Sequence, residues 1–196
     1  MKWRGLIRSQ SLVTLAAGMI FPYYLLFLKN LGNSFAKYGL AFAVFTISSA
    51  LVSQWVGQKL DKHSPCIMLL SSLGMMAAML AFPWVMSYGW VLVLQLLMGT
   101  CSAMQKMSER VLLADLTEPG ARGGMIGSYH FWTTIASGFA VIIGGYVIDW
   151  LTINALFYAS ALLYGVSAFV MHRSVRGNQS QNKAAGSQIS QPVGVE

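Results

Sequence analysis

The sequence predicts an all-α polytopic membrane fold of six spanning helices, arranged as two inverted three-helix repeats, and three observations lead there. Of 196 residues, 56% are hydrophobic and 10% charged, whereas soluble domains carry roughly a quarter charged residues. Apolar stretches of about twenty residues recur with short polar breaks, and about twenty is what a helix rising 1.5 Å per residue needs to cross some 30 Å of hydrocarbon. Finally, the second apolar stretch matches the fifth, three spans later.

The spans fall at residues 9 to 29, 38 to 58, 66 to 86, 90 to 113, 125 to 147 and 152 to 172. The first begins like a secretory leader, MKWRGLIRSQSLVTLAAG, but its apolar run continues through Phe21, Leu25 and Phe27 to Leu28. That run is too long for a leader's apolar core, so a retained anchor is expected. Pro22, followed by Tyr23 and Tyr24, predicts a kink with two hydroxyls beside it, which either lines a cavity or only adjusts packing. The fourth span is the most polar, carrying Lys106, Glu109 and Arg110 near its inner end. Residues 173–196, rich in Gln, Ser, Asn and Gly, form a disordered cytoplasmic tail on this reading.

Orientation follows from Lys and Arg alone. Eleven of these residues fall on one side and only Lys29 and Lys37 on the other, which places both termini in the cytoplasm, with the plasma membrane the expected location. Trp84, Trp90 and Trp150 mark the outer span ends as an interfacial belt. The net charge of +7 is thereby a matter of topology, and loops this short build no basic surface for nucleic acid. Cys66 and Cys101 lie in different environments, so no disulfide is expected.

Shifting the chain by 88 residues pairs Gly39 with Gly127, Thr46 with Thr134, Ile47 with Ile135, Ser49 with Ser137, Gly57 with Gly145 and Asp61 with Asp149. A three-span unit has odd parity, so its second copy enters the membrane in the opposite sense. Such inverted repeats are a construction of secondary transporters.

Between the second and third spans the chain reads GQKLDKHSPC, from Gly57 to Cys66. Gly57 allows two helices to approach closely, Asp61 suits the positive end of a neighbouring helix, and Lys62 can answer a carboxylate. This loop resembles that of the major facilitator superfamily: Gly57, Asp61 and Lys62 match its pattern, while Ser64 replaces a usual Gly, and Pro65 and Cys66 replace a basic pair. ADLTEPGARG, from Ala114 to Gly123, resembles the end of that family's fourth span and offers Asp115 as the acidic partner. The resemblance implies a conformational latch of Gly57, Asp61, Lys62 and Asp115; the plain alternative is a polar loop with ordinary turn residues. Gln95 stands where many members carry an Arg, so no proton-linked role attaches to that position. Ala140 and Val141 replace the Gly-Pro pair of the antiporter motif. The resemblance covers one six-span half of a two-half fold.

His130 is readable as a solute or proton site or as an interfacial residue with a hydrogen-bonded neighbour. Lys106 shares a helix face with Glu109 and with Arg110, which reads either as an ion pair at the cytoplasmic mouth or as charge facing a solute. Gly138, Gly144 and Gly145 predict tight helix packing. The twelve methionines are scattered, no His or Cys pairs accompany them, and neither a metal nor another cofactor is expected. The family resemblance then implies a secondary-active transporter of a small solute, not an enzyme. Tyr23, Gln95 and His130 are the pathway candidates, in a lipid bilayer, with a homodimer or a separate second half completing the site. The competing readings are a membrane scaffold or accessory subunit, and a fragment of a longer transporter.

Overall fold

The computed structural model describes residues 3–24, 27, 34–58, 60, 64–118 and 120–189, the last stretch as backbone alone from 176 onward. Six long helices follow one another: α1 (Trp3–Ile20), α2 (Phe35–Gly57), α3 (Ser64–Ala81), α4 (Tyr88–Leu116), α5 (Arg122–Trp150) and α6 (Ile153–Ile189). A single 3-10 turn, Phe82–Trp84, follows α3. Helices outrun the apolar segments at several ends, because a helix can continue into the interface once the hydrocarbon is crossed. Helix α6 runs on past its apolar span through residues 173–189. Residues 190–196 lie outside the described residues.

Pro22 interrupts the first span as its chemistry requires. Residues 21–23 form a turn in which the Tyr23 N–H donates to Ile20 O at 3.0 Å, a tighter bond than the α-helical one.

By length and composition, Phe35–Gly57, Ser64–Trp84, Arg122–Trp150 and Ile153–Val175 are apolar enough to cross a membrane. Among the described residues α1 and α4 are more polar. Arg4, Arg8, Ser9 and Gln10 interrupt α1, and Gln105, Lys106, Ser108, Glu109 and Arg110 interrupt α4.

The helices pack in an open horseshoe of order α2, α4, α3, α6, α1, α5. Small residues bring the arms together. A side chain at Gly144 of α5 would meet Met19 O of α1 at 2.9 Å, and one at Gly18 would meet Ala140 at 2.8 Å. Gly99 of α4 lies against Phe45 O and Ser48 of α2. Gly138, expected to pack in the same way, has nothing within 4 Å of its side-chain direction. Along the α1–α6 seam, Ser9 and Ser167 hydroxyls lie 2.8 Å apart, Ser167 donating to Ser9 O at 2.9 Å, and Ser160 donates to Ala16 O at 3.1 Å.

Two apolar cores hold the bundle. One joins Ile20, Tyr24, Phe27, Met79, Phe82 and Phe157, with the Phe82 and Phe157 rings stacked at 4.9 Å and Phe27 edge-on to both. The other joins Leu6, Met68, Leu112, Tyr129 and Met171 at the opposite end. At that second end Trp3 meets Tyr129, Tyr129 meets Glu109, and Gly5 meets Ser174. The contacts gather Arg4, Arg8, Lys106, Arg110, Arg122 and Arg173 on one side of the molecule. Trp84, Trp90 and Trp150, all strongly exposed, mark the other.

Candidate solute cavity

A horseshoe leaves space between its arms. Here the α1–α5 pair faces the α2–α4 pair across a cavity of about 480 Å³, with Met75 and Met79 of α3 and Tyr164 of α6 behind it. That volume is within the usual range for small-molecule sites. The wall is largely aromatic and aliphatic, from residues such as Phe21, Phe42, Phe45 and Met98, and the polar groups come chiefly from α1 and α4. The two helices too polar for the plain hydropathy test are thus those that supply the polar lining.

Gln95 lines the cavity and is buried, next to Tyr24. Tyr23 is half-buried and stands beside the cavity, its hydroxyl donating to the lining residue Val141 at the backbone O, 2.9 Å away. That hydroxyl is also the atom a side chain at Gly145 would meet, at 2.9 Å, so Tyr23 ties α1 to α5. His130 is exposed, with Nε2 3.5 Å from Thr134 Oγ1, and is not among the cavity residues. It stands seven residues before Ser137 and eleven before Val141, so it shares the face of α5 that those two lining residues present, about two turns outside the cavity.

Lys106 and Glu109 both line the cavity and Arg110 does not. In place of the expected ion pair, Glu109 accepts a hydrogen bond from Tyr129 Oη of α5 at 2.6 Å, and among the described residues no Lys or Arg lies within ion-pair distance of it. The reason is geometric: Lys106 and Arg110 are exposed, free to extend toward solvent, whereas Tyr129 is buried beside Glu109. This bond crosses between α4 and α5, which are otherwise not packed along their lengths.

Of the latch, Gly57 sits against Met107 of α4, whose Cε would be 3.3 Å from an added Cβ, so the close approach does involve the fourth helix. Asp115 is exposed on the last turn of α4. Asp61 and Lys62 lie outside the described residues. Cys66 is exposed, Cys101 is buried, and both are free thiols. Among the described residues no three His, Cys, Asp or Glu side chains converge as a metal site would need.

Sequence reasoning missed a buried polar chain. Ser71 of α3 donates to Gln105 of α4, and Gln105 Nε2 donates to Gln10 Oε1 of α1 at 2.8 Å. Ser72 lies beside Ser71, with its hydroxyl 3.4 Å from Gln105 Oε1. Gln10 and Gln105 both line the cavity. The available signal was two glutamines inside apolar helices, where an uncharged amide must find partners.

A bundle of apolar helices around a central, partly polar cavity defines a multi-pass membrane protein of the transporter class. Comparison with known proteins narrows the class. The Major Facilitator Superfamily profile matches residues 7–194. An uncharacterized MFS-type transporter of Bacillus subtilis (strain 168), YitZ, is 39% identical over 160 residues, covering 81% of this chain and 98% of that protein. The chain belongs to the Major Facilitator Superfamily, a family of transporters rather than enzymes.

Proposed function

We propose that the chain is a secondary-active transporter that moves a small solute by alternating access, with two six-helix units, either two copies or one copy and a separate second half, forming the complete pathway in the plasma membrane. The observation that carries this reading is the cavity between α1, α2, α4 and α5, whose polar side chains include Gln95 and Gln105. Helices serving assembly alone have no reason to hold amides around an open space.

The packing order supports an inverted repeat. Exchanging the first three helices with the last three turns α1–α5 into α4–α2 and α1–α6 into α4–α3, and leaves α3–α6 unchanged; all of these are packed pairs. A two-fold relation of this kind is what lets one structure open to either side. The horseshoe's tips support a paired working unit. Only 11% of the α2 and α5 spans is buried within the molecule, against 39% of α3 and α6, so the tip helices have surface left for a partner beside the cavity. The gathering of Arg4, Arg8, Lys106, Arg110, Arg122 and Arg173 on one side, with Trp84, Trp90 and Trp150 on the other, favours cytoplasmic termini. Gly57, Asp61, Lys62 and Asp115 are the proposed latch at that side.

Cysteine replacement tests the reading, in a background with Cys66 and Cys101 changed to Ser. A cysteine at Gln95 should react with a membrane-impermeant maleimide in liposomes, as should one at Tyr23, with the rate differing between right-side-out and inverted orientations. Uniform inertness at both positions would favour a scaffold or accessory subunit. Mass in native lipid distinguishes a pair from a single copy, and a strict monomer without any second half would remove the paired pathway.

A further inference from the structure

Among the described residues, Lys106 and Glu109 are the charged side chains that line the cavity, and they do not pair with each other. They stand three residues apart on one face of α4, with Lys first, the less favourable order for a pair within a helix. Glu109 instead accepts the Tyr129 hydroxyl at 2.6 Å, and Lys106 forms no ion pair among the described residues. The Tyr129 bond takes one of the several acceptor positions of the carboxylate and leaves its charge in place. The cavity therefore presents a positive and a negative group side by side, each without a counter-ion.

The wall beside these charges is apolar. Going back along α4 toward the tryptophan side, Ser102 and Met98 follow Lys106 on the same stripe, in steps of four residues or about 6 Å. Gly99, next to Met98, brings α2 close at Phe45, and Phe45 lines the cavity too.

This arrangement selects among solutes by charge. Side chains three apart on a helix hang from Cβ atoms about 5–6 Å apart, so a solute with a single charge meets an attraction and a repulsion of similar reach. An uncharged solute leaves both groups unanswered. A solute carrying both charges close together meets two attractions, which offset the cost of taking its ionic groups out of water, and an apolar body suits the wall beyond.

We propose that the cavity takes a zwitterion with an apolar body, an α-amino acid with an aromatic or branched aliphatic side chain. Its carboxylate lies at Lys106, its ammonium at Glu109, and its side chain against Ser102, Met98 and Phe45. The inference rests on the transporter reading and names the substrate class of its cavity. An α-amino acid holds its ammonium and carboxylate on one carbon, which lets two neighbouring side chains of one helix hold both.

The test uses the full chain in liposomes, carrying Cys101→Ser and Ser102→Cys. The native Cys66, exposed and outside the cavity lining, serves as the internal reference. Alkylation of each thiol by N-ethylmaleimide at neutral pH is followed by peptide mass spectrometry. Four probes share a phenylethyl body: L-phenylalanine, phenethylamine, 3-phenylpropionate and 3-phenylpropanamide. L-phenylalanine should protect Ser102→Cys but not Cys66, at a half-protecting concentration at least about tenfold below that of each other probe, the margin of one charge-assisted hydrogen bond. Lys106→Gln should erase its lead over phenethylamine, which lacks the carboxylate, and keep its lead over 3-phenylpropionate; Glu109→Gln should do the converse. Should either variant not fold, the order of the four probes on the parent protein still decides. A singly charged or uncharged probe that matches L-phenylalanine overturns the inference, as does a loss shared equally by all four probes in both variants. Protection by none of them, with Ser102→Cys still alkylated, overturns the substrate class and leaves an accessible cavity. If Ser102→Cys stays inert while Cys66 reacts, the transporter reading falls with it.

Discussion

Replacing Gly144 by alanine should loosen the α1–α5 arm, while the same change at Gly138, six residues earlier on the same helix, should not. A Cβ at Gly144 would stand 2.8 Å from the Tyr23 ring, 2.9 Å from Met19 O and 3.3 Å from Met19 Cα, whereas one at Gly138 meets nothing within 4 Å. The Tyr23 ring could swing aside, but its hydroxyl is committed to Val141 O, and the Met19 carbonyl is backbone. Relief therefore requires α1 and α5 to separate by about half an ångström to regain ordinary contact distance. Overpacking of this kind costs about 1–3 kcal/mol, against which alanine returns up to ~1 kcal/mol of helix propensity. The net loss of about 1–2 kcal/mol corresponds to a Tm lower by roughly 2–8 °C for a chain of this length, while Gly138→Ala should leave Tm unchanged or raise it slightly. Thermal unfolding of the purified protein in one detergent, followed by size-exclusion of the surviving fraction, reads both variants side by side. Equal losses at the two positions would show that the distinction between a packed and an open glycine has no energetic content here.

Three further outcomes follow from the contacts. Tyr129→Phe removes a bond to a carboxylate and should cost about 1.5–3 kcal/mol; the double variant with Glu109→Gln should lose less than the two singles together, and strict additivity in a thermal-unfolding cycle would count against direct coupling. Phe157→Ala, which removes a ring stacked on Phe82 and met edge-on by Phe27, should cost about 3–5 kcal/mol; a stability change under 1 kcal/mol in the same unfolding assay would argue against that core. An impermeant maleimide should label Cys66 in inverted vesicles but not in intact cells, and should spare the buried Cys101 in both, while labelling of Cys66 from outside the cell would reverse the proposed orientation.

The helices were legible in the sequence because crossing hydrocarbon imposes a length and a composition that each segment carries by itself. Their ends were less so. Hydropathy marks where lipid stops, and neither the start of α1 at Trp3 nor the run of α6 to Ile189 is limited by lipid. The site was only partly legible. Gln95 stands out as a buried polar residue in an apolar run and does line the cavity, but His130 stands out equally and is exposed outside the lining. A one-dimensional pattern gives a side chain's type and, for a helix, its angular position, but not which neighbour that angle meets. The Glu109 partner shows the same limit. The i, i+3 and i, i+4 spacing of Lys106, Glu109 and Arg110 suggested a pairing within one helix, whereas the bond formed is to Tyr129, twenty residues away on α5.

That substitution of partner bears on how the cavity could open. An ion pair within α4 would move with α4 and resist nothing. A hydrogen bond from α5 to α4 instead joins the two arms of the horseshoe at the end where the cations gather, across a gap that other contacts between these helices do not close. Any motion that parts the α1–α5 arm from the α2–α4 arm at this end must break it. The opposite end is tied differently: Tyr88 of α4 donates to Lys37 O at the start of α2 within one arm, and the arms themselves meet through rings, Phe21 edge-on to Phe42 and Tyr24 against Tyr38. Opening at the two ends thus breaks different contacts, a hydrogen bond at one and ring contacts at the other. Tyr129→Phe should therefore raise the maleimide reactivity of a cysteine at Ser102 from the cationic side and leave that of one at Gln95 from the tryptophan side unchanged. A uniform rise at both positions would mean that the variant merely loosens the bundle.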